Sequence, residues 1–316
     1  MNKKVVVLGG GTGLSTLLRG LKEYPVDITA IVSVCDDGSS TGILREEFNI
    51  PAVGDIRKVI AALAETEPLV QDLLNYRFKT TSDLNSHTVG NLLLTATTNI
   101  TGNMSDGIEA LSHVLNLKGK VVPLTEENIV LNAEMEDGNI VKGEHHITED
   151  KRKIKRVFYD NNPIPSKGAL KAIAHADLIV LSMGSLFTSI IPNLLCSKII
   201  EAIDNSKAKI LYVCNMVTQP GETDNFKVSD HVKMINGYLG KHKIDVVIAN
   251  NGVISKEIAK KYETKEQKNP VIIDYKNLSD IKLIEDDLVC IENEIIRHDY
   301  MLLGFHIFEY LIKCRW

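Results

Sequence analysis

Short runs of β-branched and aliphatic residues alternate along the chain with segments whose apolar positions recur at helical spacing. Lys4 to Leu8, Ile28 to Val34, Asp177 to Ser182, Lys209 to Cys214 and Ile244 to Ala249 read as strands, each closed by glycine or polar residues. Between the first two, Leu14, Leu17, Leu18 and Leu21 fall at i, i+3, i+4 and i+7, as do Ile56, Val59, Ile60 and Leu63 further on. That spacing gathers the apolar side chains on one face of a helix. Strand, helix and strand in succession build a parallel sheet through right-handed crossovers, so the predicted class is α/β, a parallel sheet flanked by helices.

Over roughly 119–162 the texture changes. Val121-Val122, Ile129 to Met135, Ile140-Val141 and Val157-Phe158-Tyr159 are short strand-like pieces separated by turn signals such as Asp137-Gly138, which predicts an antiparallel β insertion. Pro163-Ile164-Pro165 returns the chain to the α/β pattern. Beyond Pro270, Val271 to Ile273 and Leu288 to Ile291 look like further strands, and Met301 to Ile312 is a closing apolar segment. No internal repeat interrupts this order, so 1–316 is expected to form one elaborated domain.

At 316 residues and 44% hydrophobic content the chain can bury a core without disulfide staples. Its five cysteines, Cys35, Cys196, Cys214, Cys290 and Cys314, are odd in number, scattered and without a CxxC pair, which argues against a disulfide framework or a zinc site and fits a reducing compartment. The apolar run Val5 to Leu8 is too short for a signal sequence, and no stretch approaches the roughly 20 apolar residues of a membrane span. A cytoplasmic protein is expected. A formal charge of -5 gives no global basic field for nucleic acid. The one basic run, Lys151 to Arg156, reads as a solvated strand edge.

Candidate chemistry gathers where the strands end. Gly9-Gly10-Gly11-Thr12-Gly13 runs from the first strand straight into the Leu14 helix, placing bare amides at a positive helix terminus, the arrangement that holds phosphate. The match to GxGxxG is imperfect, since Ser15 stands near the third glycine's place and no P-loop lysine follows. After the second strand comes Asp36-Asp37-Gly38-Ser39-Ser40-Thr41-Gly42, at the distance where dinucleotide folds carry a ribose-binding acid. Asp36 and Asp37 could bind ribose hydroxyls, hold a divalent cation such as Mg²⁺ or abstract a proton, or the stretch could be an Asx-rich turn.

Gly54-Asp55 opens a helix, where Asp55 could act simply as a cap. Ser86-His87-Thr88-Val89-Gly90-Asn91 crowds a histidine, hydroxyls and an amide at another helix start, with His87 either a structural hydrogen bonder or a general acid or phosphate donor. Gly184-Ser185 after the third strand, Asn215 to Thr223 after the fourth and Asn250-Asn251-Gly252 after the fifth repeat the theme. Gly10, Gly11, Thr12, Gly13, Asp36, Asp37, Ser39, Ser40, Asp55, His87, Asn91, Gly184, Ser185, Asn215 and Thr218 are therefore the candidate ligand contacts. Five such strand ends converging in an open α/β sheet point to a phosphorylated nucleotide ligand.

Taken in order, GGGTGLSTLLRGLK, DDGSSTG, GDIRK, HTVGNLLL, GSLFTSIIPNLL and CNMVTQPGETDNF resemble the YvcK-like family of gluconeogenesis factors. That family is itself similar to the 2-phospho-L-lactate transferases of deazaflavin coenzyme synthesis. The resemblance implies a Rossmann-like core, a cytoplasmic regulator of cell shape and envelope growth on gluconeogenic carbon sources, and a UDP-sugar such as UDP-N-acetylglucosamine as ligand. It also implies sugar-nucleotide contacts from Tyr262 and Arg297, which by pattern alone read as surface residues. A cell-envelope synthesis protein as partner and a homo-oligomer are further expectations. Two other functions remain open at this point: a Mg²⁺-dependent transferase using a nucleotide donor, and an NAD-binding protein. The chain departs from the family's wording at Cys35, at Ser86 and at Ser182-Met183.

Overall fold

The computed structural model describes residues 2–65, 68–292 and 294–313. Its elements run β1 (Lys3–Gly9), α1 (Gly11–Leu21), β2 (Val26–Val32), α2 (Ser39–Phe48), α3 (Gly54–Leu63), α4 (Pro68–Asn75), α5 (Val89–Thr101), α6 (Met104–Val114), β3 (Lys120–Pro123), β4 (Leu131–Met135), β5 (Ile140–Lys142), α7 (Glu144–Glu149) and β6 (Ile154–Tyr159). There follow α8 (Lys167–Ala174), β7 (Leu178–Leu181), a π turn (Leu186–Ile190), a 3-10 turn (Ile191–Leu194), α9 (Ser197–Asn205), β8 (Lys209–Val213), α10 (Val228–Tyr238), β9 (Val246–Asn250), α11 (Lys256–Glu266), β10 (Lys282–Asp286), β11 (Val289–Glu292), β12 (Ile295–His298) and α12 (Tyr300–Lys313).

Seven strands form one sheet in the order β10-β9-β8-β7-β1-β2-β3, and every pair in it is parallel. Both faces are covered, which is why β1 and β7 are near-continuous aliphatic runs rather than alternating ones. One core layer packs Leu14, Leu17, Leu18 and Leu21 of α1 and Ile56, Val59, Ile60 and Leu63 of α3 beneath the sheet; the other packs Phe187, Ile190, Ile199 and Ile203 on the opposite face. Each fully buried aliphatic side chain contributes roughly 1.5–3 kcal/mol. The two predicted leucine and isoleucine stripes are thus core faces.

The antiparallel insertion is a three-stranded sheet, β5-β4-β6, smaller than expected. Val121-Val122 belongs instead to β3, the edge of the main sheet, because Val121 pairs with Ala30 and buries itself against it. β6 is an edge strand, and its basic residues are neutralised there: Lys155 and Arg156 both reach Glu134, and Arg152 reaches Asp150 and Asp137. Val271 to Ile273 is irregular. Its backbone is tied down singly, the Val271 amide donating to the Met216 carbonyl at 2.8 Å beside the isolated Val217–Pro270 bridge, and the Ile272 carbonyl accepting from the Val228 amide at 3.1 Å, while the seventh strand of the sheet is β10.

Cys35, Cys196, Cys214 and Cys290 are free thiols, and Cys314 lies outside the described residues. Among those residues no single helix is long and apolar enough to cross a membrane. The bent pair Leu186–Leu194 and Ser197–Asn205 has the length and composition, but its apolar side chains fill the second core layer.

Candidate nucleotide site at the strand-order switch

Chain order reverses between β1 and β7, and the crevice outside the carboxyl ends of such a pair is where open α/β sheets bind ligands. The glycine loop lies in it. Gly13 is required by close approach, since a Cβ there would sit 2.0 Å from the Met183 carbonyl oxygen, and Gly11 is required by its φ of +64°. No side chain caps α1, so the amides of its first turn keep their hydrogen-bonding capacity for an outside acceptor.

The loop after β7 differs. Glu222, only 7% exposed, accepts from the Ser185 hydroxyl and from the Phe187 amide at 3.1 Å, and Ser185 in turn accepts from the Thr188 amide. Gly184 is clamped by Asn215, which accepts from its amide at 2.9 Å and donates to its carbonyl at 2.6 Å. The start of the π turn is thus satisfied internally. Burial pushes the Glu222 carboxyl above its usual value, while the Ser185 and Phe187 hydrogen bonds pull it back. This segment shapes the crevice; the glycine loop offers it amides.

Between these loops lies a cavity of about 300 Å³ lined by Thr12, Gly13, Thr16, Gly184, Ser185, Asn215, Gln219, Lys268 and Arg297 among others. Two cationic residues, Lys268 and Arg297, therefore line the same cavity as the hydroxyls and the α1 terminus, a setting that suits a phosphate or diphosphate, with the Lys268 ammonium also paired to Glu266 at 2.7 Å. Among the described residues Arg297 has one ion-pair partner, Glu292, at a long 3.7 Å across the β11–β12 hairpin. Its neighbours hold it in place. The Ile296 amide donates to the Tyr262 hydroxyl at 2.8 Å, and His298 Nε2 bonds the Cys214 carbonyl at the end of β8 at 3.1 Å. Burial lowers His298 to about 4, so it is neutral and Nε2 carries the proton.

Tyr262 is 6% exposed and does not line the cavity. Its hydroxyl accepts from the Ile296 amide of the hairpin that carries Arg297. Thr218 is also internal, pairing with Asn269 through both its amide and its hydroxyl. Asn250 spends its side chain on Gly252 and Leu288.

A second group of polar residues adjoins the glycine loop. Asp55 lies beside it, so close that a Cβ on Gly10 would be 2.7 Å from Oδ2. It does not cap α3, whose N-cap is Val53, and it pairs instead with Lys58 at 2.9 Å. Asp36 accepts from the Gly38 amide at 3.0 Å, and its carboxyl is raised by burial and then by the Asp55 charge. Burial alone would lower Lys58, but Asp55 outweighs it and holds the ammonium above its ordinary value. Asp37 turns away and accepts from the His145 amide at 2.7 Å. From the insertion comes Glu144, pushed up to about 7 by burial and by Asp36.

Ser40, His87 and Asn91 meet nearby. Asn91 Nδ2 donates to Ser40 Oγ at 3.1 Å, and Ser40 lies 3.0 Å from His87 Nδ1. If the Ser40 proton goes to Nδ1, His87 Nε2 is left as a donor. Ser39, at the start of α2, is exposed with a φ of +43°. Among the described residues no group of three or more His, Cys, Asp or Glu is arranged to hold a metal ion. The half-buried like-charge neighbours here are Asp36 and Asp55, whose repulsion a divalent cation would relieve.

Sequence reasoning did not single out Lys58, Glu144, Glu222 or Lys268. Lys58 was within reach, three residues after Asp55 on a helix. Glu222 stood in the QPGETDNF stretch, but its partner, the π turn, lies some thirty-five residues earlier in the chain. Nothing in the local pattern marks Glu144 or Lys268.

A glycine-loop α/β fold with its polar loops at the strand-order switch defines a class of proteins with dinucleotide-fold topology. Within it, the chain belongs to the CofD-like family of gluconeogenesis factors. The family model described as 2-phospho-L-lactate transferase CofD matches residues 5–289. The gluconeogenesis factor of Bacillus subtilis (strain 168) is 49% identical over 299 residues, covering 94% of each chain. That of Halalkalibacterium halodurans is 47% identical over 310 residues, covering 97% of this chain and 96% of the other. The crystal structure of protein BH3568 from Bacillus halodurans superposes with a TM-score of 0.94 at 46% identity, covering 98% of this chain and 100% of that one.

Proposed function

We propose that this protein is a cytoplasmic nucleotide-sugar-binding regulator, taking a UDP-N-acetylglucosamine-like ligand and supporting cell shape and envelope growth on gluconeogenic carbon sources. The observation that carries the reading is the cavity that Arg297 and Lys268 line together with Thr12 and Gly13 of the uncapped α1 terminus. A diphosphate bridges those groups with charge-assisted hydrogen bonds, and the cavity is sized for that part of the ligand, leaving nucleoside and sugar to extend along the open crevice. The naming of its relatives as gluconeogenesis factors supports the physiological setting.

The second reading, a transferase with a nucleotide donor and Mg²⁺, is favoured by the Asp36–Asp55 pair and by the family model's description. Mg²⁺ commonly takes one or two carboxylates and fills its remaining positions with water and ligand phosphates, and two carboxylates beside a phosphate loop fit that pattern. A thermal-shift screen over UDP-sugars, NAD and guanine nucleotides, with and without Mg²⁺, tests the assignment. Stabilisation by UDP-sugars without product formation is expected. Release of product from purified protein would establish the transferase instead, and a response to NAD alone would reject both.

A further inference from the structure

β3 ends the main sheet, and its outer side has no strand partner among the described residues. The Leu124 amide donates to the Val32 carbonyl at 2.9 Å, so the alternation of a strand turns Val122 and Lys120 toward β2 as well, and Val121 and Pro123 outward. Proline presents no amide at its outward position, and its carbonyl accepts from the Ser166 hydroxyl at 2.7 Å. The open edge is therefore short and centred on the Val121 amide and carbonyl.

That edge is the floor of a groove of about 1050 Å³. α6 packs into the core layer of α1 and α3, and α8 into the layer of Phe187 and Ile199, so the two helices flank the edge from opposite faces of the sheet. Asp106 and Glu109 line the α6 side, and Lys167 and Lys171 the α8 side. Lys120 adds to the basic side, because it shares a face of β3 with Val122, which packs against the α8 layer. Charges of opposite sign stand on opposite walls without meeting. Asp106 accepts from Asn103 Nδ2 at 2.7 Å, Glu109 has His113 at a long 3.8 Å, and none of the three lysines has an ion-pair partner among the described residues. Two further acids of the lining are engaged within the chain, Glu126 with the Met104 and Ser105 amides and Glu127 with the Ile164 amide.

We propose that this groove docks an extended segment of a partner protein, added as a strand beside β3, in which basic and acidic residues alternate. An added strand sends successive side chains to opposite faces, so every second residue meets the acidic α6 wall and those between meet the lysines. Its backbone bonds Val121. A strand of about five residues spans the length of α6. None of the groove residues lines the Arg297 cavity, so the surface is independent of the nucleotide-sugar reading.

The probe is a labelled, end-blocked peptide of about eight residues in which lysine and glutamate alternate, compared with an isomer carrying the same residues as one lysine block and one glutamate block. The alternating peptide should bind the full chain saturably and about tenfold more tightly than the isomer, weaken with salt, and slow hydrogen exchange at the Val121 amide. Reversing one wall, with Asp106→Lys and Glu109→Lys or with Lys167→Glu and Lys171→Glu, should weaken binding about tenfold. Reversing both walls together should restore it, because a one-residue slip of the strand exchanges the faces its side chains meet. Melting curves verify that each variant is folded; should the α6 reversal unfold, the α8 reversal decides alone. Equal affinity for the two isomers, unchanged binding by the α8 reversal, no recovery in a folded double reversal, or an unprotected Val121 amide would overturn the proposal. So would a wild-type dimer that the α8 reversal dissociates, which would give the groove to a second copy of the chain.

Discussion

Tyr262→Phe separates a residue that positions Arg297 from one that touches ligand. The substitution keeps the buried ring and deletes only the hydroxyl that accepts from the Ile296 amide at 2.8 Å. A neutral hydrogen bond of this kind contributes about 1 kcal/mol, and water can reach the half-buried Ile296 amide, which prevents the larger penalty of an orphaned donor. The hairpin that carries Arg297 is then less firmly held, and ligand binding must supply the lost ordering. Affinity for UDP-N-acetylglucosamine should therefore fall by no more than about fivefold, the equivalent of 1 kcal/mol. Calorimetry gives the affinity, and hydrogen exchange at the Ile296 amide reports the hairpin. A ring that stacked on ligand would leave the Phe variant binding normally. Unchanged affinity with a still-protected Ile296 amide would refute the positioning role. Tyr262→Ala, by contrast, also empties a core site and should cost about 3–5 kcal/mol of stability.

Gly13→Ala drives a Cβ to 2.0 Å from the Met183 carbonyl and should destabilise by roughly 1–3 kcal/mol, more than Gly11→Ala, whose φ of +64° costs about 1 kcal/mol with space to spare; urea midpoints give the order. Glu222→Gln replaces a carboxylate that accepts from both Ser185 and Phe187 with a group that can only partly do so, and a loss of about 1–3 kcal/mol in chemical denaturation is expected. Glu144, with a folded-state value near 7 against an ordinary 4.5, binds its proton more tightly when folded, so stability should decline as pH rises from about 4.5 to 7 and level off above. Glu144→Gln should flatten that part of the pH–stability profile, and an unchanged slope would assign it to other groups.

Strands followed by glycine or polar turns were legible because a doubly covered parallel strand carries a near-continuous aliphatic run, as β1, β7 and β9 do. β10 was not, since KLIED has only two apolar residues among three charged ones and is at most half-buried at the sheet's edge, while Val271 attracted a strand assignment by β-branching alone. β3 was recognised but credited to the insertion: pairing partner is a property of topology, which four residues cannot encode. In the site, helix-start glycines announced where a phosphate could go. They did not reveal which amides are already satisfied. Glu222 reaching back to the π turn and Asp55 crossing to face Asp36 are encounters between loops, set by the packing of the sheet. Tyr262 and Arg297 came into view through family resemblance; in the structure the Tyr262 hydroxyl accepts from the hairpin's Ile296 amide and Arg297 lines the cavity.

The central claim, a nucleotide sugar held through its phosphates by Arg297 and the α1 terminus, is tested most directly by calorimetric titration of UDP-N-acetylglucosamine into wild type and Arg297→Ala at fixed salt. A guanidinium–phosphate contact is worth roughly 1.5–3 kcal/mol, so the variant should fold normally and bind about tenfold to a hundredfold more weakly. Equal affinity in the two proteins would remove Arg297 from the site, and no heat of binding to the wild type would remove the ligand.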